Sequence, residues 1–328
     1  MSFSSKAKNE ICRIEFRRSC CKLAELTALI HTSGIIQMAG KKKVKLKFST
    51  ENASIARRIF MLVKDLYKIS PEVLVRKNRR LRKNNSYILI ITAPEDSQMI
   101  LEDSNILIHD VDDKINVKLG YINKQMIRKK CCKRAYLRGA FLGGGSVSDP
   151  EKAYHLEYIA HSRKYAESLC QLIREFDLRA KLIERKNVFV VYLKEGEHIV
   201  NLLSLIGAHT ALLNFENIRI YKDMRNNINR IVNCETANLG KTINAAVRQT
   251  ENIEYIRDNI GFSNLSAPLR EVAELRLMHP NASLRELGEL LSPKVGKSGI
   301  NHRLRKLDKI AEDHRNNQRI KVEAQMNK

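Results

Sequence analysis

Residues 297–307 read Lys-Ser-Gly-Ile-Asn-His-Arg-Leu-Arg-Lys-Leu. Ile300, Leu304 and Leu307 recur at i, i+4 and i+7, so they share one face of a helix. Asn301, His302, Arg303, Arg305 and Lys306 are then expected to face outward. Amide, imidazole and guanidinium groups can hydrogen-bond base edges in a DNA major groove. Arg305 and Lys306, further along the helix, are better placed for phosphate. Ser298 is the expected N-cap.

The elements that would position this helix are legible upstream. Residues 269–278 carry apolar side chains at 269, 272, 275 and 277, and Pro268 suits a first helical turn. Ser283-Leu284-Arg285-Glu286 is a capping box, opening a short helix through Leu291. Ser292-Pro293-Lys294-Val295-Gly296 reads as a turn. Three short helices with a capped, cationic third one describe a helix-turn-helix module over residues 266–315. Its expected DNA contacts are Ser283, Lys294, Lys297, Ser298, Asn301, His302, Arg303, Arg305 and Lys306. Residues 316–328 are expected to form a flexible basic tail.

Other chemistry is less developed. Seven cysteines include the adjacent pairs Cys20-Cys21 and Cys131-Cys132, with no Cys-x-x-Cys spacing and only scattered histidines. Adjacent helical residues are expected to point different ways, so no metal or other cofactor is expected, and the thiols read as reduced. Gly143-Gly144-Gly145 lacks the Lys-Ser/Thr of a phosphate loop. In Lys43-Val44-Lys45-Leu46-Lys47-Phe48 the period of two places Lys43, Lys45 and Lys47 on one strand face. The turn at 76–83 adds Arg79, Arg80 and Arg82. Both are candidate additional DNA contacts.

The cysteine pairs open a repeat. Residues 20–34 align with 131–145, identical at six positions (Cys20, Cys21, Lys22, Ala24, Leu26 and Gly34 with Cys131, Cys132, Lys133, Ala135, Leu137 and Gly145). Small residues also match at Ala28 and Gly139, as two closely packed helices require. Gly34 and Gly145 are expected as left-handed helix ends. Residues 56–65 align with 166–175 at nearly the same offset, with helical apolar spacing in both. Expected strands are 43–48, 73–76 and 87–92 in the first copy, and 155–161, 180–185 and 188–193 in the second. Expected helices are 54–67 and 93–101, then 164–176 and 197–206. The reading is α+β: a pseudo-twofold αββαββα duplication over 1–206, with copies at about 12–105 and 123–206, followed by an all-α module. Residues 207–265 read as a helical connector, with a stripe at Ile243, Val247, Thr250, Ile253, Ile256 and Ile260 and a hinge at 263–266.

Both repeated helices resemble degenerate LAGLIDADG motifs, as in homing endonucleases. The run at 297–307, and Asn229-Arg230-Ile231-Val232-Asn233-Cys234-Glu235-Thr236-Ala237-Asn238, are similar to bacterial WhiA proteins. The WhiA resemblance covers nearly the whole chain. It implies a DNA-binding regulator with an endonuclease-like N-terminal domain and a helix-turn-helix. In some members this is a developmental transcription factor; in others it is tied to cell division and chromosome segregation. In homing endonucleases the penultimate motif residue is an acid that holds a divalent cation. Here the matching positions are Ser33 and Gly144, and the earlier acid positions are His31 and Leu142. Divalent-cation cleavage of a phosphodiester needs anionic oxygen ligands. The scaffold therefore reads as retained and the chemistry as lost. The alternative is a metal-dependent DNA endonuclease with an unrecognised acid set.

Composition favours the nucleic-acid reading. Lys and Arg number 59 against 36 acids, a net charge of +23, which suits a polyanionic partner. No apolar run approaches a membrane span, and residues 2–10 lack a signal-peptide core. The expected partners are double-stranded DNA and another transcription or chromosome-associated protein, in a cytoplasmic, nucleoid-associated setting without a membrane.

Overall fold

The two repeated runs of small and apolar residues become helices that pack against each other along their length. The structure is a computed structural model that describes residues 1–15, 18–38, 44–77, 85–109 and 115–326, with side chains described to residue 320. Helix α1 (Phe3–Ile11) precedes the first copy. That copy runs α2 (Ser19–Ser33), β1 (Gly34–Met38), β2 (Val44–Thr50), α3 (Ala53–Tyr67), β3 (Glu72–Lys77), β4 (Asn85–Ile90) and α4 (Pro94–Asp103). A hairpin, β5 (Leu107–His109) and β6 (Ile115–Val117), follows. The second copy runs α5 (Lys130–Gly144), β7 (Gly145–Val147), β8 (Leu156–Ala160), α6 (Arg163–Arg174), β9 (Lys181–Arg185), β10 (Val188–Leu193) and α7 (Gly196–Ile206). Each copy is thus αββαββα. The short strands β1 and β7 are not among those the alternation of side chains marks. The sheets are antiparallel with equivalent orders, β1-β2-β4-β3 and β7-β8-β10-β9.

Helix α2 is buried continuously from Ala24 to Ile30, as expected of a helix enclosed on all sides. On α5, a Cβ at Gly139 would lie 2.3 Å from the Glu25 carbonyl oxygen, so glycine permits the close helix approach. One face of each sheet joins the same core: Val44, Leu46, Phe48 and Leu89 pack with Ile59 and Leu62 of α3, and Leu156 and Val191 with Leu169 and Leu172 of α6. Each such side chain contributes about 1.5–3 kcal/mol on full burial.

Gly34 and Gly145 are not left-handed. Their φ values are −78° and −86°, with extended ψ, because each helix passes directly into a strand. Glycine is needed there for space. A Cβ would stand 2.4 Å from the Ile30 carbonyl oxygen at Gly34, and 2.4 Å from the Phe141 ring at Gly145.

Two polar groupings cross between the copies inside this core. Glu25, 1% exposed, accepts from Arg58 Nε at 2.7 Å and Nη2 at 3.1 Å, and from Arg138 of α5 at 3.3 Å. One turn and a half further along α2, His31 Nδ1 lies 2.9 Å from the Thr27 carbonyl and 3.1 Å from the Tyr136 hydroxyl, and its ring stacks on Tyr165 at 4.9 Å. Burial lowers the His31 pKa to about 4. In the repeat, Glu25 corresponds to Tyr136 and His31 to Leu142, so each copy supplies what the other lacks.

Beyond α7 the expected connector is one helix, α8 (His209–Asn259), closed by a 3-10 turn at Phe262–Asn264 where a hinge was expected. Glu10 of α1 caps it, accepting from the Thr210 and Ala211 amides at 2.6 and 3.0 Å. The chain divides into two compact units, Met1–Asp223 and Met224–Lys328, so the boundary falls inside α8 rather than near 206 or 265. Of the expected apolar stripe, Ile253 and Ile256 are buried, but Ile243 and Val247 are about half exposed. No described helix is long and apolar enough to cross a membrane.

Candidate nucleic-acid interface

The second unit is built on the last turns of α8, then α9 (Ala267–Met278), α10 (Leu284–Glu289) and α11 (Lys297–Met326). Ile300, Leu304 and Leu307 are fully buried or nearly so and pack with Val272, Ala273, Leu287, Ile253 and Ile256. The module thus has a fourth helix that periodicity around 269–307 does not reveal. Asn252 donates to Asp308 at 2.8 Å and accepts from Arg315 at 2.8 Å, and the Tyr255 hydroxyl lies 3.0 Å from His314 Nδ1. Those contacts fasten α8 along α11. The expected flexible tail is helical as far as Met326.

Three local devices set the angle of α11. Ser283 and Glu286 form the capping box in full, fixing the start of α10. Arg276, 2% exposed, donates to the Ala282 and Pro280 carbonyls at 2.6 and 3.4 Å, and so holds the preceding turn; burial lowers its pKa. Gly288 lies under the second turn: Val295 donates to its carbonyl at 3.0 Å, and a Cβ there would clash with the Val295 carbonyl oxygen at 2.0 Å. None of these requirements is visible as a motif except the capping box.

Ser298 is not the N-cap, because α11 begins at Lys297 and the first turn closes by Ile300 donating to the Gly296 carbonyl. Ser298 instead stands exposed on the helix. With Ile300, Leu304 and Leu307 inward, the outermost ridge carries Ser298, His302, Arg305 and Lys309, spaced four, three and four apart, with Lys306 beside it. Asn301 and Arg303 are half-buried on the two flanks rather than outward. Asn301 lines a groove with Ser283, Lys297 and the stretch of α8 around Ile243 and Val247. Lys309 was outside the expected set, although the four-three-four spacing marks it. Lys294 and Lys297 are exposed at the turn and the helix start. Among the described residues, Lys294, Lys297, Arg303, Arg305, Lys306 and Lys309 have no carboxylate within ion-pair distance.

In the first unit, Lys45 is exposed and Lys47 half-exposed on the face of β2 opposite Val44, Leu46 and Phe48, as the alternation predicts. Lys43, Arg79, Arg80 and Arg82 lie outside the described residues. The open face is not uniformly cationic: by register Ile35, Ile88, Ile90 and Glu72 share it with Lys45 and Lys47. The matching face of the second sheet carries Glu157 and Ile159 beside Lys181 and Arg185.

Ser33 and Gly144 do come together. A Cβ at Gly143 would lie 3.4 Å from the Ser33 hydroxyl, and one at Gly144 would lie 3.5 Å from Thr32. Thr32, Ser33, Gly143 and Gly144 meet there, and none is acidic. The Thr32 and Ser33 hydroxyls donate back to Ala28 and Leu29 carbonyls at 2.8 Å each. Asp149 is occupied in its own turn, accepting from the Glu151 amide at 3.0 Å.

A duplicated LAGLIDADG-like α+β unit followed by a helix-turn-helix unit defines the class of protein. Family models match in that order: the WhiA N-terminal LAGLIDADG-like domain over residues 19–107, the WhiA LAGLIDADG-like domain over 133–225, and the WhiA C-terminal HTH domain over 228–311. The chain belongs to the WhiA family. A protein of Alkaliphilus metalliredigens named "Probable cell division protein WhiA" is 56% identical over 96% of this chain and 99% of its own. One of Clostridium botulinum with the same name is 51% identical over 95% of this chain and 98% of its own. Full-length DUF199/WhiA from Thermatoga maritima superposes with a TM-score of 0.59 at 27% identity, covering 95% of this chain and 99% of that one.

Proposed function

We infer that this protein is a sequence-specific double-stranded DNA-binding regulator acting in cell division and chromosome segregation, and that its LAGLIDADG-like unit serves as a non-cleaving scaffold. The observation that carries the reading is the outer ridge of α11. Ser298, His302 and Arg305 project on one line near the helix start, where base edges are read, and Lys294, Lys297, Arg303, Lys306 and Lys309 surround them as phosphate contacts. The cell-division role rests on the names of the close relatives. The non-cleaving role rests on the neutral hydroxyl of Ser33 and the absence of a side chain at Gly144. A transcription or chromosome-associated protein is a further partner in this reading.

The test pairs two assays. Genome-wide occupancy mapping yields a cognate site, and competition against random DNA then measures discrimination. His302→Ala or Arg305→Ala is expected to lower discrimination by about 1–3 kcal/mol, while Lys306→Ala weakens both DNAs alike. Equal loss for all three would remove sequence reading from this ridge. Supercoiled plasmid with Mg²⁺ or Mn²⁺ should stay intact; nicking that follows the purified protein would return the endonuclease alternative.

A further inference from the structure

The opposite ends of the paired helices hold an arrangement that DNA binding does not use. Cys20 and Cys21 are the second and third residues of α2, and Cys131 and Cys132 occupy the same places in α5. The four Sγ atoms all lie within 4.8 Å of one another. Cys131 and Cys132 sulfurs are 4.0 Å apart. The expectation that adjacent helical cysteines diverge fails because the meeting point is not on either helix. It lies between the two first turns, where both members of each pair can reach inward.

We propose that these four thiols form a structural zinc site that clamps the first turns of α2 and α5 together, joining the two copies of the duplicated unit. In a tetrahedral zinc–tetrathiolate, Zn–S distances of about 2.3 Å place the sulfurs about 3.8 Å apart. Small side-chain rotations close the observed set to that size. A four-iron cluster fits less well, since each sulfur there binds a different iron and the thiolates stand wider apart. Soft sulfur ligands select zinc over magnesium or calcium. Four protein ligands leave no open coordination position, which makes the site structural rather than catalytic.

The electrostatics favour the same occupant. The thiols sit in the first turns of two helices, where the helix dipole favours negative charge. Zinc with four thiolates carries net charge −2. Arg18, Arg134 and Arg138 line the groove on the side of Cys21 and Cys131 together with Glu15 and Glu25, and Arg128 and Lys129 line the groove on the side of Cys20 and Cys132 together with Asp103, so cations outnumber acids on both sides. These grooves also give the ion a route in. Binding displaces the thiol protons to solvent, with no change in oxidation state. The site lies at the far end of the helices from Ser33 and Gly144, so it is separate from the lost cation position of the endonuclease pattern.

The experiment uses the full chain purified with reductant and without chelator. Elemental analysis should find one zinc per chain. Co(II) added to chelator-treated protein should give the intense thiolate charge-transfer absorption and visible bands of a tetrahedral tetrathiolate. Cys20→Ser and Cys131→Ser, both partly exposed positions, should lose the zinc and the spectrum with circular dichroism unchanged; Cys234→Ser, an exposed cysteine of α8, should keep both. Folded wild type that holds no zinc and gives no tetrathiolate cobalt spectrum overturns the proposal, whatever the variants do. So does recovery of the four cysteines as disulfides without metal, or zinc retained by both serine variants.

Discussion

The salt dependence of DNA binding offers the sharpest check on the α11 surface. Lys294, Lys297, Arg303 and Lys306 flank the ridge and Lys309 continues it, all without carboxylate partners among the described residues. If each neutralises one phosphate, log–log affinity against salt should fall with a slope of about −4.5, at about −0.9 per contact. Raising salt from 50 to 200 mM would then weaken binding by on the order of 500-fold. Lys306→Ala with Lys309→Ala removes two contacts and should bring the slope to about −2.7. Fluorescence anisotropy with a labelled duplex across a KCl series reads both values. A wild-type slope shallower than about −2, or an unchanged slope in the double variant, would show that these cations do not meet the backbone.

Other perturbations address the scaffold. Glu25→Gln removes the buried carboxylate shared by Arg58 and Arg138, and should destabilise the protein by about 3–5 kcal/mol, lowering the thermal midpoint by on the order of 10 °C; a change under about 2 °C would mean that the crossing between copies is not held there. His31 falls from an ordinary 6.5 to about 4 on burial, so the unfolded chain binds more protons between those values. Stability should therefore be complete above about pH 6.5 and decline as pH falls toward 4, by at most about 3 kcal/mol. Denaturant titrations of wild type and His31→Leu should diverge in this window, and parallel pH profiles would refute the assignment. Gly144→Asp should destabilise by about 1–3 kcal/mol through crowding, since its Cβ would stand 2.9 Å from the Ile159 carbonyl oxygen. Combined with Ser33→Asp it should create Mg²⁺-dependent stabilisation absent from wild type; melting of the double variant that ignores Mg²⁺ would show that the two helix ends cannot share a cation.

What the amino-acid order determines alone is what one element can display. The duplication is written in paired residues such as Cys20 and Cys131, and each copy has the same αββαββα order. The inward row Ile300, Leu304 and Leu307 follows from helical spacing, and the capping box at Ser283 and Glu286 from local hydrogen-bond geometry. The neutral character of Ser33 and Gly144 needs no coordinates. Tertiary structure decided what depends on two elements at once. Asn252 and Tyr255 of α8 found Asp308 and His314 of α11, partners that no local pattern announces. Glycine at 34 and 145 proved to be about neighbouring atoms rather than handedness. Glu25 found Arg58 and Arg138 from segments 33 and 113 residues away, and four thiols from two copies converged to one point. Side-chain spacing along a chain constrains rotation about one helix axis, but where two axes cross is set by the whole packed core, so sites shared between helices are settled only when that core closes.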